Sequence, residues 1–236
     1  MLEFRRYRAL TFDCYGTLID WERGLLVALR ALLRRQGVTC DDERLLSLYA
    51  AFEAEAEAGP YRPYRDIQRR VMVRMAAALS FPLAAGDEDC LALSIRDWPP
   101  FPDTVAALRA LATRYRLAIV SNIDDDLFAG TRPHLGVDFD VVTTAEQVRS
   151  YKPGTAHFTT VLERLALPPG EVLHVAQSLF HDILPARALA MSTVWVNRRA
   201  GRSGFGATPP ATARPDLEVP DLQSLVTLVE RQVDGG

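Results

Sequence analysis

The sequence predicts an α/β fold: a parallel sheet with helices on its faces and a helical insertion near the N-terminus. Three observations predict it. A short apolar run, YRALTFD at 7–13, stops at an Asp and a Gly turn, as a buried strand does. Between Trp21 and about Asp97 the pattern is helical and strands are hard to find. After residue 103, helix-like and strand-like segments alternate, which is the signature of βαβ units.

Within the insertion, GLLVALRALLRRQG forms a helix that Gly37 closes at its C-cap. EAEAEAG at 53–59 ends a second helix, Asp66 to Leu79 forms a third, and DEDCLALSIRDW supplies a fourth. PPFPD at 99–103 is a hinge, because each Pro fixes φ and blocks helix propagation. Helix TVAALRALATRY then leads to strand RLAIVSN at 116–122, and a helix near 124–134 leads to FDVVTT at 139–144. FTTVLERLAL leads to EVLHVAQS, and ILPARALA to TVWVNR. Residues 200–216 are a Gly/Pro/Thr-rich loop before a last helix, LQSLVTLVERQ.

Composition excludes several functions. The 236 residues are 48% hydrophobic and 24% charged, as in globular proteins. A net charge of -3 leaves no nucleic-acid footprint. No apolar run approaches the roughly 20 residues of a membrane helix, and MLEFRRYRAL lacks a signal-peptide core. Cys14, Cys40 and Cys90 are scattered, so neither a disulfide framework nor a zinc site is expected, and a cytoplasmic location is. His134, His157, His174 and His181 share no metal-ligand spacing.

A parallel sheet binds ligands beyond the carboxyl ends of its strands. Asp13, Ser121, Asn122 and Gln177 stand at such ends; Lys152 lies in the polar loop RSYKPG, and Asp182 a few residues beyond VLHVA. Each alone has an ordinary explanation. An Asp caps or turns, a Lys before Pro is a solvated charge, and Asp182 can N-cap the helix that follows. Together they suit nucleophilic catalysis: two carboxylates, a hydroxyl and an ammonium drawn from distant segments. Asp13 would attack, Lys152 would lower its pKa, and Thr17, Ser121 and the turn N–H groups would hold it. Gly16 suits the tight chain reversal that aims those groups.

FDCYGTLID, VSN, SYKPG and HVAQSLFHD resemble the four motifs of the haloacid dehalogenase superfamily, over essentially the whole chain. DCYGT and SYKP are most similar to the type II (S)-2-haloacid dehalogenases; ALTFDCYGTLIDWE, WPPFPDTVAAL, VSNID and SLFHD are similar to a sister group typified by azetidine-2-carboxylate hydrolase. The resemblance implies a Rossmann-like three-layer core at 1–18 and 98–236, a four-helix cap at 19–97, and an aspartyl-ester mechanism. It implies Asp13, Thr17, Ser121, Lys152 and Asp182 as catalytic residues, with Cys14, Tyr15, Asn122, Gln177 and Phe180 toward the substrate. The expected partner is a small carboxylic acid, not nucleic acid or a membrane, and a homodimer is an admissible assembly. No cofactor is required; magnesium, if bound, would sit on Asp13 and Asp182.

The sequence departs from these relatives at particular positions. Superfamily phosphatases carry a second Asp two residues after the nucleophile, to protonate an alkoxide; here that residue is Tyr15, whose phenol normally titrates near 10. Gln177 stands where their first acid of the last motif does. The dehalogenases' cap arginine, which cradles halide, has no counterpart between Leu45 and Gly59, although Arg62 and Arg65 follow. A Tyr expected six residues after the lysine is Phe158, and a Ser and an Asn of the last motif are Gln177 and Leu179. A magnesium-dependent phosphatase and a non-catalytic small-acid binder therefore stay open as alternatives. Glu53, Glu55 and Glu57 make the second cap helix acidic. One of them facing the cleft would repel halide and could hold an ammonium; otherwise they form a solvated helix face.

Overall fold

The structure, a computed structural model, describes residues 2–201, 207–208 and 211–233. Strand β1 (Ala9–Phe12) is followed by helices α1 (Trp21–Arg35), α2 (Asp42–Glu57), α3 (Tyr64–Ala78) and the short α4 (Cys90–Ser94). Helix α5 (Thr104–Ala112) leads to β2 (Arg116–Ser121), α6 (Asp125–Thr131), β3 (Val141–Thr144), α7 (Ala145–Val148) and α8 (Ala156–Leu165). The chain closes with β4 (Val172–Ala176), α9 (Leu184–Ala188), β5 (Ser192–Val196), β6 (Leu217–Val219) and α10 (Leu222–Val233).

The strands pair in parallel in the order β3-β2-β1-β4-β5-β6. The chain runs from β1 outward through β2 and β3, then returns to the other side of β1 as β4. The crevice beyond β1, β2 and β4 is thus a topological switch point. Side chains alternate across the sheet with period two. Ala9, Ala118, Val120 and Val172 pack on Phe158, Val161 and Leu165 of α8 and Ala186 of α9. Leu10, Phe12, Leu117, Ile119, Leu173 and Val175 join the opposite cluster, with Leu108 and Leu111 of α5 and Leu225 and Val229 of α10. These are the three layers expected. Burial on both faces is why β1 and β4 read as apolar runs, broken only by Thr11 and His174.

Local chemistry sets the ends of the first two cap helices. Asp20 starts α1 by accepting from the Arg23 N–H at 3.3 Å, and Gly37 follows its end with φ +66°, as its C-cap assignment requires. Asp41 caps α2 through the Arg44 N–H at 2.8 Å. Two expectations need correction. The third helix starts at Tyr64, not Asp66, because its first N–H groups find a remote acceptor: Asp124 takes Tyr64 N at 2.7 Å and Arg65 N at 3.0 Å. No local signal announces a cap supplied from 60 residues away. The fourth helix shrinks to five residues of α4 between 3-10 turns at Asp87–Asp89 and Ile95–Asp97. In addition, β6 lies between the loop expected at 200–216 and the last helix, where the sequence predicts no element; three residues are too few to show a period. Residues 202–206 and 209–210 of that loop lie outside the described residues.

The two crossings between insertion and core are bonded to each other: Asp20 N donates to Pro99 O at 2.8 Å and Phe101 N to Leu18 O at 3.0 Å. Among the described residues no helix is long and apolar enough to cross a membrane.

Candidate active site

Strand β1 delivers Asp13 at its carboxyl end, and the chain reverses at once. Gly16 makes the reversal with φ +96°; a Cβ there would stand 3.0 Å from Trp21 Nε1 and 3.2 Å from Gln177 Oε1. The turn brings Thr17 back, and its hydroxyl donates to Asp13 Oδ2 at 2.8 Å while accepting from Gln177 N at 2.9 Å. One carboxylate oxygen is therefore pinned by a hydroxyl that the β4 terminus itself positions.

The other oxygen faces Lys152. Its ammonium donates to Asp13 Oδ1 at 2.9 Å, Asp182 Oδ1 at 2.7 Å and Val120 O at 3.0 Å, which uses all three of its protons. Lys152 is 2% exposed and Asp182 is fully buried. Burial alone disfavours the Lys152 cation, but the two carboxylates outweigh it and hold its pKa above the ordinary value. Burial opposes the Asp182 anion too, yet Lys152 and His174 together outweigh it and bring that carboxyl down to about 2. Burial pushes Asp13 up; Lys152 pulls against it, and the Asp182 charge adds to the rise.

A polar relay underlies this pair. His174 Nε2 lies 3.1 Å from Asp182 Oδ1, and His174 Nδ1 lies 2.9 Å from Thr11 Oγ1. An ionised Asp182 accepts, so the proton belongs on Nε2 and Thr11 donates to Nδ1. Two oxygens are left over: Asp182 Oδ2 and Ser121 Oγ are buried with no hydrogen-bond partner among the described residues. Both residues line a cavity of about 50 Å³ together with Asp13, Tyr15, Asn122 and Lys152. The arrangement is a positioned carboxylate nucleophile with an open acceptor and an open hydroxyl beside it.

A family model described as haloacid dehalogenase-like hydrolase matches residues 7–189. This chain belongs to that family. Haloacetate dehalogenase H-2 of Moraxella sp. (strain B) is 30% identical to the hydrolase over 231 residues, 95% of this chain and 99% of its own. A haloacid dehalogenase-like hydrolase domain-containing protein 3 from Danio rerio is 31% identical over 116 residues, and the alignment spans about half of either protein, 48%. A crystal structure of an L-2-haloacid dehalogenase superposes with a TM-score of 0.80 at 27% identity, covering 98% of this chain and 100% of that one. Phosphatases also stand among the relatives, at 28% and 26% identity.

The structure brings most of the expected site residues of the hydrolase together. Asn122 takes a supporting place: its Oδ1 accepts from Lys152 N at 2.8 Å and its Nδ2 donates to Lys152 O at 3.2 Å, so it clamps the lysine's backbone. Tyr15 lines the cavity but turns its hydroxyl to Thr131 Oγ1 at 2.8 Å. Two expected substrate contacts are corrected. Cys14 is fully buried in the core, because the residue after a strand-end Asp points to the opposite side. Phe180 is half-buried against the His181 ring, with centroids 4.9 Å apart, and is not part of the cavity wall. Asp182 is no helix cap; Ser178 fills that role through the His181 N–H at 2.9 Å.

Of the three cap glutamates that the sequence offers, Glu53 and Glu57 stand in the wall; Trp21 and Tyr64 from the cap, and Ser178, His181 and Thr208 from the core, escaped sequence reading. Thr11 and His174 were missed as well. Their signal was present, for they are polar residues in otherwise apolar strands, and they pair in register. Arg62 is exposed, and Arg65 pairs with Asp126 at 2.6 Å, so neither reaches the cavity in place of a cap arginine.

The donor set fits magnesium poorly. Asp13 and Asp182 are the carboxylates a metal would need, and Lys152 already occupies one oxygen of each. Among the described residues no group of three or more His, Cys, Asp or Glu side chains could hold a metal ion.

Proposed function

We propose that this hydrolase displaces a leaving group, halide or strained amine, from the carbon alpha to a carboxylate, through an ester on Asp13. The observation that carries the reading is the buried Lys152 ammonium shared by Asp13 and Asp182, with Thr17 fixing the second Asp13 oxygen. In the first step an Asp13 oxygen bonds to the alpha carbon, and the leaving group departs with its electron pair. The substrate carboxylate rests on the Ser121 hydroxyl and the N–H groups of the turn. Closing the cavity keeps water from competing with the carboxylate.

In the second step a water held by Asp182 Oδ2 attacks Asp13 Cγ. Lys152 and the turn N–H groups stabilise the tetrahedral oxyanion. One water proton reaches the departing alkoxide and gives the 2-hydroxy acid; the other goes to solvent, and Asp13 is regenerated as carboxylate.

Phosphatase chemistry is the second reading, favoured by the phosphatase relatives. It needs an acid for the alkoxide, and the residue at that position, Tyr15, has its hydroxyl bonded to Thr131. The deciding experiment is a single turnover with excess enzyme in H2(18)O, on 2-chloropropionate and on azetidine-2-carboxylate. The expected result is unlabelled product and label in the Asp13 peptide. Label appearing directly in the product overturns the ester mechanism. p-Nitrophenyl phosphate with and without magnesium reads the alternative.

A further inference from the structure

Helix α2 carries three glutamates, and they divide. Glu55 is exposed and pairs with Arg74 at 2.6 Å, as a solvated helix face does. Glu53 and Glu57 instead line the cavity that holds Asp13. Glu53 is 6% exposed. Tyr49 OH and Tyr64 OH donate to its Oε1, each at 2.6 Å, and Gln68 Nε2 approaches the same oxygen at 3.4 Å. All three donors converge on one oxygen; among the described residues Oε2 has no partner. Glu57 Oε2 accepts from Asn122 Nδ2 at 3.4 Å, and Asn122 clamps the Lys152 backbone. The second carboxylate is thus held at a set position relative to the catalytic lysine.

The charges around the cavity do not balance. Among the described residues four carboxylates line it, Asp13, Asp182, Glu53 and Glu57, against a single cation, Lys152, whose protons are already committed. Among the described residues no arginine lines it, and burial pulls the His181 imidazole down to about 4, so that ring is neutral near pH 7. Burial pushes the Glu53 and Glu57 carboxyls above their usual range; at Glu57 the neighbouring Glu53 charge adds to the rise and Lys152 pulls against it. A buried charge without a partner is costly, and a ligand that supplies the partner recovers that cost. An independent feature of the same cavity also points to a ligand. The Ser121 hydroxyl, 1% exposed, has no partner among the described residues and lines the same cavity.

We propose that Glu53 and Glu57 form a cation subsite that selects a substrate carrying a protonated nitrogen as well as a carboxylate, a zwitterionic amino acid. The carboxylate goes to the orphan Ser121 hydroxyl and the ammonium to the free carboxylate oxygens of the cap helix. This deepens the reading above, from which it takes the carboxylate end of the substrate. A plain 2-haloacid satisfies only one end and brings its halide toward two carboxylates.

The test is binding without turnover, so it stands apart from the labelling experiment. Calorimetric titration compares L-proline with cyclopentanecarboxylate, which has the same ring and carboxylate but no nitrogen. The wild-type enzyme should prefer proline by about tenfold or more, the size of a charge-assisted contact. Glu57→Gln, which keeps an acceptor for Asn122, should remove most of that preference and leave cyclopentanecarboxylate binding unchanged or tighter. Glu53→Gln should act in the same direction, and Glu55→Gln should change nothing. Equal affinity for the two ligands, no binding of proline, or equal weakening of both by Glu57→Gln overturns the proposal.

Discussion

Lys152 Nζ lies 2.9 Å from Asp13 Oδ1 although 139 residues separate them, and Lys152 is the only lysine in the chain. The remaining basic side chains are arginines, which keep a fixed charge and a bulky fork. A compact ammonium with three donors is what the site uses, since it serves Asp13, Asp182 and the Val120 carbonyl at once.

Lys152→Met should therefore destabilise the protein by roughly 3–5 kcal/mol, since it strands two buried carboxylates without a counter-ion. Urea unfolding measures this. Because there is one lysine, side-chain labelling with 15N-lysine gives one ammonium signal. Its titration midpoint should lie above the ordinary 10.5, as the flanking carboxylates demand. A midpoint at or below that value would show that the ion pair is not formed.

Asp13→Asn should abolish turnover, by roughly three orders of magnitude or more, while the fold survives. The amide is nearly isosteric, and Lys152 keeps Asp182 as its partner. Circular dichroism and a thermal melt check the fold, and mass spectrometry excludes deamidation. Wild-type-like activity in the folded variant would falsify the covalent mechanism.

Gly24 lies on α1 against Trp98, which follows the last cap turn; a Cβ on it would collide with the indole at Trp98 Cδ1. Trp98 in turn meets Tyr15 edge-on, with ring centroids 5.8 Å apart. Gly24→Ala should cost about 1–3 kcal/mol through overpacking. It should also lower activity, by driving the indole toward a cavity residue. An unchanged melting temperature together with unchanged kcat/KM would refute this coupling.

His157 is fully buried, and burial pulls its imidazole down to about 3 from 6.5. Between those values the unfolded chain holds a proton that the native state lacks. Its contribution to stability is complete above pH 6.5 and declines as pH falls through that window. His157→Gln should lower the slope of unfolding free energy against pH by up to about 1.4 kcal/mol per unit near pH 5. Identical slopes for the two proteins would exclude His157 as a source of acid sensitivity.

The sequence by itself determined the parallel sheet, the helical insertion and the order of the site residues. Those follow from short-range patterns: β1 and β4 are apolar because both sheet faces are covered, and Asp13, Ser121 and Gln177 stand where strands end. The end of α1 at Gly37 was legible for the same reason, since a left-handed glycine adjoins the turn it closes. What tertiary structure decided depends on contacts between distant segments. Asp124 caps α3 from the core, which moved the start of that helix to Tyr64. Side-chain direction turned Cys14 inward, and the cavity wall leaves out Phe180. The second cap helix shows its acidic composition in sequence but not which residues face inward. Packing against Tyr64 and Gln68 of α3 and Asn122 of the core turned Glu53 and Glu57 toward the nucleophile and left Glu55 in solvent. Orientation of a helix about its own axis is set by what it packs against, and that partner is remote in sequence.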